Sequence, residues 1–157
     1  MRRRVTFTSL ALVLVAAVAI PAAQQPKYMD KASYFQMESI SSPQISPDGT
    51  TVLFSRGYVD LTRDQNQSNL WVIDINGDRL RQLTDGAWND SAPAWSPDGK
   101  RIAFMSNRSG SNQLHVMWVD TRETLQLTRL ERAPSSITWS PDGKAITFTS
   151  LLPDEAP

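Results

Sequence analysis

Apolar and polar residues alternate in short runs along most of this chain, which is the pattern of half-buried β-strands. One such run places Ile102 and Phe104 on the same face of a strand. Two further runs show the same spacing and begin at Val52 and Ile146. Each run is preceded by a short turn sequence, so the pattern predicts a series of β-hairpins.

The same four-residue turn stands before each of these three runs. Ser-Pro-Asp-Gly occupies 46–49, 96–99 and 140–143, at spacings of 50 and 44 residues. Pro holds its φ near about −65° for the second position of a type I turn, and Gly accepts the positive φ that closes the turn. A repeat of this length built from short strands is typical of a β-propeller, in which one repeat forms one four-stranded blade.

Matched segments further along each repeat predict the remaining strands of a blade. The predicted third and fourth strands are Leu70–Asp74, Arg81–Thr84, Leu114–Asp120 and Leu125–Thr128. Leu70 and Leu114 each lie 26 residues before the serine of the next turn. The difference in repeat length therefore lies in the polar segment 56–68, which we predict to be a loop.

The repeats predict an all-β fold: an incomplete β-propeller with two full four-stranded blades plus the first hairpin of a third. The partial propeller is expected at 43–157, after a lead-in segment at 24–42. Its blades are expected at about 43–86, about 87–130 and 131–157, the last of them truncated. Because propellers close with about four to eight blades, we expect the chain to be the front part of a larger protein.

The amino terminus has the three parts of a secretory signal peptide. A positive stretch at 2–4 precedes an apolar core at 10–20, and small residues at 21–23 offer a cleavage site after Ala23. The core is shorter than the about 20 residues that span a bilayer as a helix. We therefore predict a signal peptide at 1–23 and a periplasmic or secreted protein without membrane contact after cleavage; an uncleaved anchor is the alternative.

Composition excludes two classes of protein. Removal of the signal peptide leaves 13 Lys and Arg against 16 Asp and Glu, a formal charge of −3. No basic run follows the signal peptide, so nucleic acid is not expected as a partner. The chain has no Cys, which excludes a disulfide framework, and packing between blades must supply the stability.

The chain shows no catalytic constellation. Its one His, His115, aligns with Trp71 of the preceding repeat, which favours a structural role. A zinc site needs several His or Cys ligands. No two of the seven Gly are four residues apart, which excludes the Gly-x-Ser-x-Gly elbow of α/β-hydrolases. We therefore predict no catalytic, cofactor-binding or metal-binding residue here, and no cofactor.

Other charged and aromatic residues have structural explanations. Asp48, Asp98 and Asp142 belong to the repeated turn, with calcium binding as the alternative. Arg56 and Arg108 follow the second strands and are expected either in solvated loops or at a ligand-binding end of the propeller. Four tryptophans on strands are expected to pack between blades, namely Trp71, Trp95, Trp118 and Trp139.

Several segments occur in a characteristic order. They are 35–37, 43–49, 68–71, 113–116, 127–128 and 133–135. In this order they resemble the amino-terminal propeller of secreted bacterial serine peptidases of the prolyl oligopeptidase family, in the dipeptidyl and acylaminoacyl peptidase branch. The resemblance covers roughly 34–153. The Ser-Pro-Asp-Gly turn itself is shared with TolB-type propellers.

The resemblance implies a carboxy-terminal α/β-hydrolase domain and a propeller that restricts access of peptide substrate to it. In that family Ser attacks the carbonyl, His carries the proton and Asp orients the His. None of these residues maps onto this chain, which is expected to be inactive alone and to meet peptide substrate only through the catalytic domain.

Two alternatives remain open. One is a non-enzymatic, TolB-like periplasmic protein-binding propeller. Such proteins resemble this chain in their repeats but carry a separate α/β domain before the propeller, whereas here a short segment, 24–42, precedes the repeats. The other is the propeller of another secreted enzyme or of a carbohydrate-binding protein.

Overall fold

The computed structural model of the chain describes Ser33 and residues 35–151. The predicted signal peptide, 1–23, lies outside the described residues. β1 begins at Ser39, within the predicted lead-in segment 24–42. Within the described part, no helix is long and apolar enough to cross a membrane. The strands are β1 Ser39–Ile45, β2 Thr51–Asp60, β3 Gln65–Asp74, β4 Arg81–Gln82, β5 Asp90–Trp95, β6 Arg101–Ser106, β7 Gln113–Trp118, β8 Thr124–Gln126, β9 Ser135–Trp139 and β10 Ile146–Thr149.

Each strand pairs antiparallel with the next strand of its own repeat. The sheets have the orders β1-β2-β3-β4 (blade 1), β5-β6-β7-β8 (blade 2) and β9-β10 (blade 3). β1 contacts β5 and β5 contacts β9, whereas no comparable contact joins β4 to β8 in the described part. The sheets therefore fan outward from their first strands, as propeller blades do. This confirms the predicted fold: two complete blades and the first hairpin of a third.

Apolar side chains fill the space between the blades. The core between blades 1 and 2 consists of Leu53, Leu70, Val72, Leu83, Ile102, Phe104 and Met117. The core between blades 2 and 3 is formed by Ala103, Met105, Leu114 and Val116, against which Ile137, Trp139 and Ile146 pack. Ile102 and Phe104 share one face of β6, as their alternation predicts. Since each sheet face is covered by the neighbouring blade, stability depends on the contacts between repeats.

The Ser-Pro-Asp-Gly turns have the same internal hydrogen bonds in all three repeats. The Ser hydroxyl donates to Asp Oδ1 at 2.5, 2.6 and 2.6 Å. The Gly N–H donates to the Ser carbonyl at 2.9 Å each time, and each Gly has a positive φ between 67° and 73°. The residue after Gly donates its N–H to the same Asp oxygen. The three Asp side chains therefore serve the turns themselves.

Acid is expected to weaken these turns. The hydroxyl of Ser96, and next the N–H of Lys100, hold the pKa of Asp98 below its ordinary value of 3.8. A Ser hydroxyl is also the largest cause of the lowered pKa of Asp48 and Asp142. The unfolded chain then binds more protons, so this stabilisation is complete above the unfolded pKa and is lost as pH falls through the folded pKa.

Urea denaturation between about pH 6 and about pH 3 measures this effect, because the carboxyl groups titrate in that range. A variant with Asn in place of Asp48, Asp98 and Asp142 should show a flatter dependence of the free energy of unfolding on pH. The same slope in both proteins would contradict the assignment to the turns.

The prediction of a loop over 56–68 is wrong. β2 continues to Asp60 and β3 begins at Gln65, so four residues connect the strands. The pairing continues without a register shift to the last pair, Asp60 with Gln65. The Tyr58 hydroxyl donates to Gln67 Oε1 across the strands at 2.9 Å. Polar residues form strands here because they bond to each other across the hairpin.

The fourth strands are shorter than predicted, and the Gln-Leu-Thr sequence closes each blade through side chains. Thr84 Oγ1 accepts the N–H of Leu70 at 2.9 Å, and Gln82 Nε2 donates to the Thr84 carbonyl at 2.8 Å. The equivalent residues of blade 2 make the same bonds at 2.9 and 2.7 Å. These side-chain bonds add to the backbone bonds from Leu83 to Leu70 and from Leu127 to Leu114, each 2.8 Å long, at the outer edge of each blade.

Candidate functional site at the loop end of blades 1 and 2

The two ends of the blades carry different chemistry. The Ser-Pro-Asp-Gly turns lie at one end, here named the turn end. Because neighbouring strands are antiparallel, the β2–β3 and β6–β7 connections and the start of β5 lie at the other, the loop end. Arg108 belongs to the loop end, and it lies two residues after the end of β6.

Arg108 is held in place by a buried carboxylate. Its Nη2 lies 3.0 Å from Oδ1 and 2.9 Å from Oδ2 of Asp90, whose side chain is 0% exposed. Its Nε donates to Ser106 Oγ at 2.9 Å. The guanidinium carbon lies 5.1 Å from the ring centroid of Trp88 and 5.2 Å from that of Phe104. The solvated-loop interpretation is therefore wrong for Arg108, because the side chain is paired and enclosed by rings.

This cluster also joins blade 1 to blade 2. Ser68 Oγ donates to the carbonyl of Asp90 at 3.0 Å, and Ser68 forms an isolated parallel bridge with Asn89. The N–H of Asn89 donates to Asn107 Oδ1 at 2.7 Å. The start of β5 is thus bonded to both blades, which fixes the position of Asp90.

Arg56 makes a more exposed version of the same arrangement. Its Nε donates to Glu38 Oε2 at 2.7 Å, and its guanidinium carbon lies 4.6 Å from the ring centroid of Trp71. Because Leu53 and Leu70 face blade 2, strand alternation places Arg56 and Trp71 on the opposite face of blade 1.

His115 is part of the packing between blades 1 and 2. It is 2% exposed, its ring is stacked on Phe104 with centroids 5.8 Å apart, and its Nδ1 lies 3.0 Å from the Gln113 carbonyl. Burial lowers the pKa of His115 below its ordinary value of 6.5, and the positive charge of Arg108 acts in the same direction. A buried, stacked ring of this kind stabilises the interface and is inaccessible to a substrate.

The strand tryptophans differ in their surroundings. Trp95 packs against the core between blades 1 and 2, and Trp139 against the core between blades 2 and 3, as predicted. Trp139 Nε1 donates to the Ala94 carbonyl at 3.0 Å and so bonds blade 3 to blade 2. Trp118 is 37% exposed and Trp71 lies on the face of blade 1 away from blade 2. Blade 3 covers Trp118 only in part, with Trp139 and Ile146 lining the same cleft, and no described blade covers the face that carries Trp71.

A cleft of about 340 Å³ opens beside the Arg108 cluster, between the outer strands of blades 1 and 2. Thr84, Asp85, Trp88 and Arg122 are among the residues that line it with Arg108. In the described part of the chain, no three His, Cys, Asp or Glu come together as a metal site would require. Arg108, Arg122 and Thr84 offer hydrogen-bond donors at this cleft, and Trp88 offers aromatic surface. These groups can bind a ligand, but they do not form a catalytic set.

Gly86 is required by the position of Trp88. It has a φ of +122°, and a Cβ at this place would overlap the Trp88 ring. Gly86→Ala is therefore expected to displace Trp88 and lower the free energy of unfolding by more than about 1 kcal/mol. Gly77→Ala is the matched control, since Gly77 has a φ of +89° with no atom within 4 Å of the added Cβ. Urea denaturation followed by Trp fluorescence measures both; equal losses would contradict the role of Trp88.

The chain is similar to peptidases and to a Tol-Pal protein. It is 32% identical over 116 residues to dipeptidyl-peptidase 5 of Porphyromonas gingivalis, covering 73% of this chain and 17% of that protein. It is 37% identical over 73 residues to the Tol-Pal system protein TolB of Hahella chejuensis, covering 45% of this chain and 17% of that protein. The chain thus spans about a sixth of the length of these curated relatives.

A solved structure supports the fold. The acylaminoacyl peptidase of Pyrococcus horikoshii superposes with a TM-score of 0.65 at 20% identity, over 79% of this chain and 19% of that protein. The family model of the TolB beta propeller domain matches residues 21–153. This range contains all ten strands, the three repeated turns and the Asp90–Arg108 cluster. The chain belongs to the TolB beta propeller domain family.

Proposed function

We propose that this chain is the propeller portion of a secreted serine peptidase and restricts the access of peptide substrate to an α/β-hydrolase domain of the same protein. The 32% identity to dipeptidyl-peptidase 5 over 73% of the chain carries this proposal. The triad would lie in the hydrolase domain, and the propeller would act by size exclusion.

The packing of blades 1 and 2 suits a rigid filter. A filter must keep its opening constant, and closely packed interiors deform little. The core around Phe104 holds the two blades together between the sheets, and the bond from Ser68 of blade 1 to the Asp90 carbonyl of blade 2 holds them together at the loop end. Tilting one blade would therefore break both apolar and polar contacts between the blades.

The proposal includes export of the protein. The charged, apolar and small-residue segments at 1–23 support a signal peptide, followed by a lead-in at 24–42 and the propeller at 43–157. Export implies a periplasmic or secreted enzyme. The absence of Cys is compatible with this compartment because the blades need no disulfide.

A TolB-like propeller that binds a protein partner without catalysis is the second candidate. The 37% identity to TolB over 45% of the chain favours it. This identity covers a smaller share of the chain than the identity to the peptidase does, so the peptidase assignment has the broader support.

The two candidates are distinguished by the full-length protein. We expect a fluorophosphonate probe to label a serine outside residues 1–157 and the protein to release short fragments from peptides. Residues 24–157 alone should do neither. A full-length protein that neither takes the label nor cleaves peptides would contradict the peptidase assignment and favour the TolB-like one.

A further inference from the structure

One residue in the first strand of each blade, at the same place in each repeat, has a left-handed backbone. These residues are Ser42, Ala92 and Ser136, with φ values of 51°, 47° and 54°. They are separated by 50 and 44 residues, the same spacings as the repeated turns. At each of them the pairing between the first and second strand of the blade shifts register, so the first strand bulges. None is a glycine, and the recurrence in every blade indicates a built feature of the repeat.

Ala92 shows where the bulge points. β5 is hydrogen-bonded to β6, contacts β1 of blade 1 on one side and contacts β9 of blade 3 on the other. Ala92 is nevertheless the one exposed residue of β5. The direction left uncovered is the centre of the ring, where propellers have their channel. Ser42 and Ser136 occupy the same place in their repeats, in first strands that are exposed along all or most of their length.

The bulges also change what the channel wall can bind. The first strand of each blade presents a free edge to the channel, and a regular free edge accepts an additional strand. The bulge interrupts this edge, and Pro43 and Pro93 follow directly with no N–H to donate. An extended peptide therefore meets an edge with which it cannot pair continuously, and it can pass along the wall.

We propose that Ser42, Ala92 and Ser136 form part of a collar around the channel, and that their small side chains set the width available to a peptide substrate. This inference rests on the proposed function as a peptidase filter. It deepens that function because it assigns the size selection to three positions. Larger side chains at these positions should exclude long peptides before short ones.

The location of the collar can be tested without enzyme activity. The chain has no Cys, so Ala92→Cys adds a single thiol to it. In the full-length protein, with wild type as the blank, we expect this thiol to react with N-ethylmaleimide but to be shielded from a bulky polyethylene-glycol maleimide. Glu123→Cys, in the exposed turn between β7 and β8, should react with both reagents. Equal reactivity of the Ala92→Cys thiol with both would overturn the inference.

The width of the collar is tested by a triple variant, Ser42→Asn, Ala92→Asn and Ser136→Asn. Asn tolerates the left-handed conformation and adds bulk. We expect kcat/KM for a decapeptide, relative to that for a dipeptide substrate, to fall by about tenfold. A triple Gly variant keeps the backbone and removes the side chains, so it should keep or raise this ratio. The single Ala92→Asn variant should give part of the fall and serves if the triple variant does not fold.

The outcomes separate the two proposals. A wild-type ratio in an Asn variant that melts like the wild type would overturn the collar while leaving the peptidase assignment intact. A wild type that hydrolyses neither peptide would contradict the peptidase assignment, and the thiol reactivity would then decide the collar.

Discussion

Phe104→Ala is expected to lower the free energy of unfolding of the propeller by about 3–5 kcal/mol, the usual cost of removing a buried aromatic side chain. The ring is 0% exposed and lies in the core between blades 1 and 2. It also stacks on His115 and lies against the guanidinium of Arg108. Its removal leaves a cavity between the apolar core of blades 1 and 2 and the Asp90–Arg108 ion pair. Urea denaturation measures the loss.

The repeat supplies a matched control for this variant. Phe148 lies 44 residues later at the same position of blade 3, but it is 38% exposed. Phe148→Ala should therefore cost clearly less than Phe104→Ala, because less apolar area returns to water. Similar losses of unfolding free energy for the two variants would contradict the role of Phe104 as a buried core residue between blades 1 and 2.

Arg108→Met is expected to lower the free energy of unfolding by about 3–5 kcal/mol, because it leaves a buried carboxylate without its partner. Asp90 is 0% exposed, and Arg108 donates to both of its carboxylate oxygens. Met keeps much of the apolar stem between Trp88 and Phe104, so the variant removes chiefly the charge and the hydrogen bonds.

Two further variants identify the cause. Arg63→Met removes an exposed ion pair with Asp60, in which the Arg side chain is 56% exposed, and should cost about 0–1 kcal/mol. The double variant Asp90→Leu, Arg108→Met removes both charges and should regain much of the loss. A double variant no more stable than Arg108→Met would mean that packing, not the unpaired charge, causes the loss.

Local bonds explain why the turns could be predicted from the sequence. Ser96 and Asp98 bond to each other within the turn, and Gly99 closes it with a positive φ. The same residues in 46–49 and 140–143 make the same bonds. Alternation then placed Ile102 and Phe104 on one face, because strand geometry alone sets the side-chain period.

The prediction of a loop at 56–68 was wrong because it rested on polar composition alone. The cross-strand bond from Tyr58 to Gln67 makes a strand of residues that resemble a loop. The ion pair between Arg108 and Asp90 could not be predicted either. Asp90 lies 18 residues earlier, and it becomes buried only when blade 1 covers the start of β5. A contact between residues so far apart along the chain cannot be recognised from a local sequence pattern.

The amino-acid sequence by itself determined the repeat, the turns and the faces of the central strands, because each depends on residues that are close along the chain. The order of the ten strands into fanned sheets followed from that repeat. Only the tertiary structure decided the buried Asp90–Arg108 ion pair, the covered state of His115 and the bulges at Ser42, Ala92 and Ser136. These depend on how one blade lies against the next and on backbone pairing within a blade, which residue type alone does not encode.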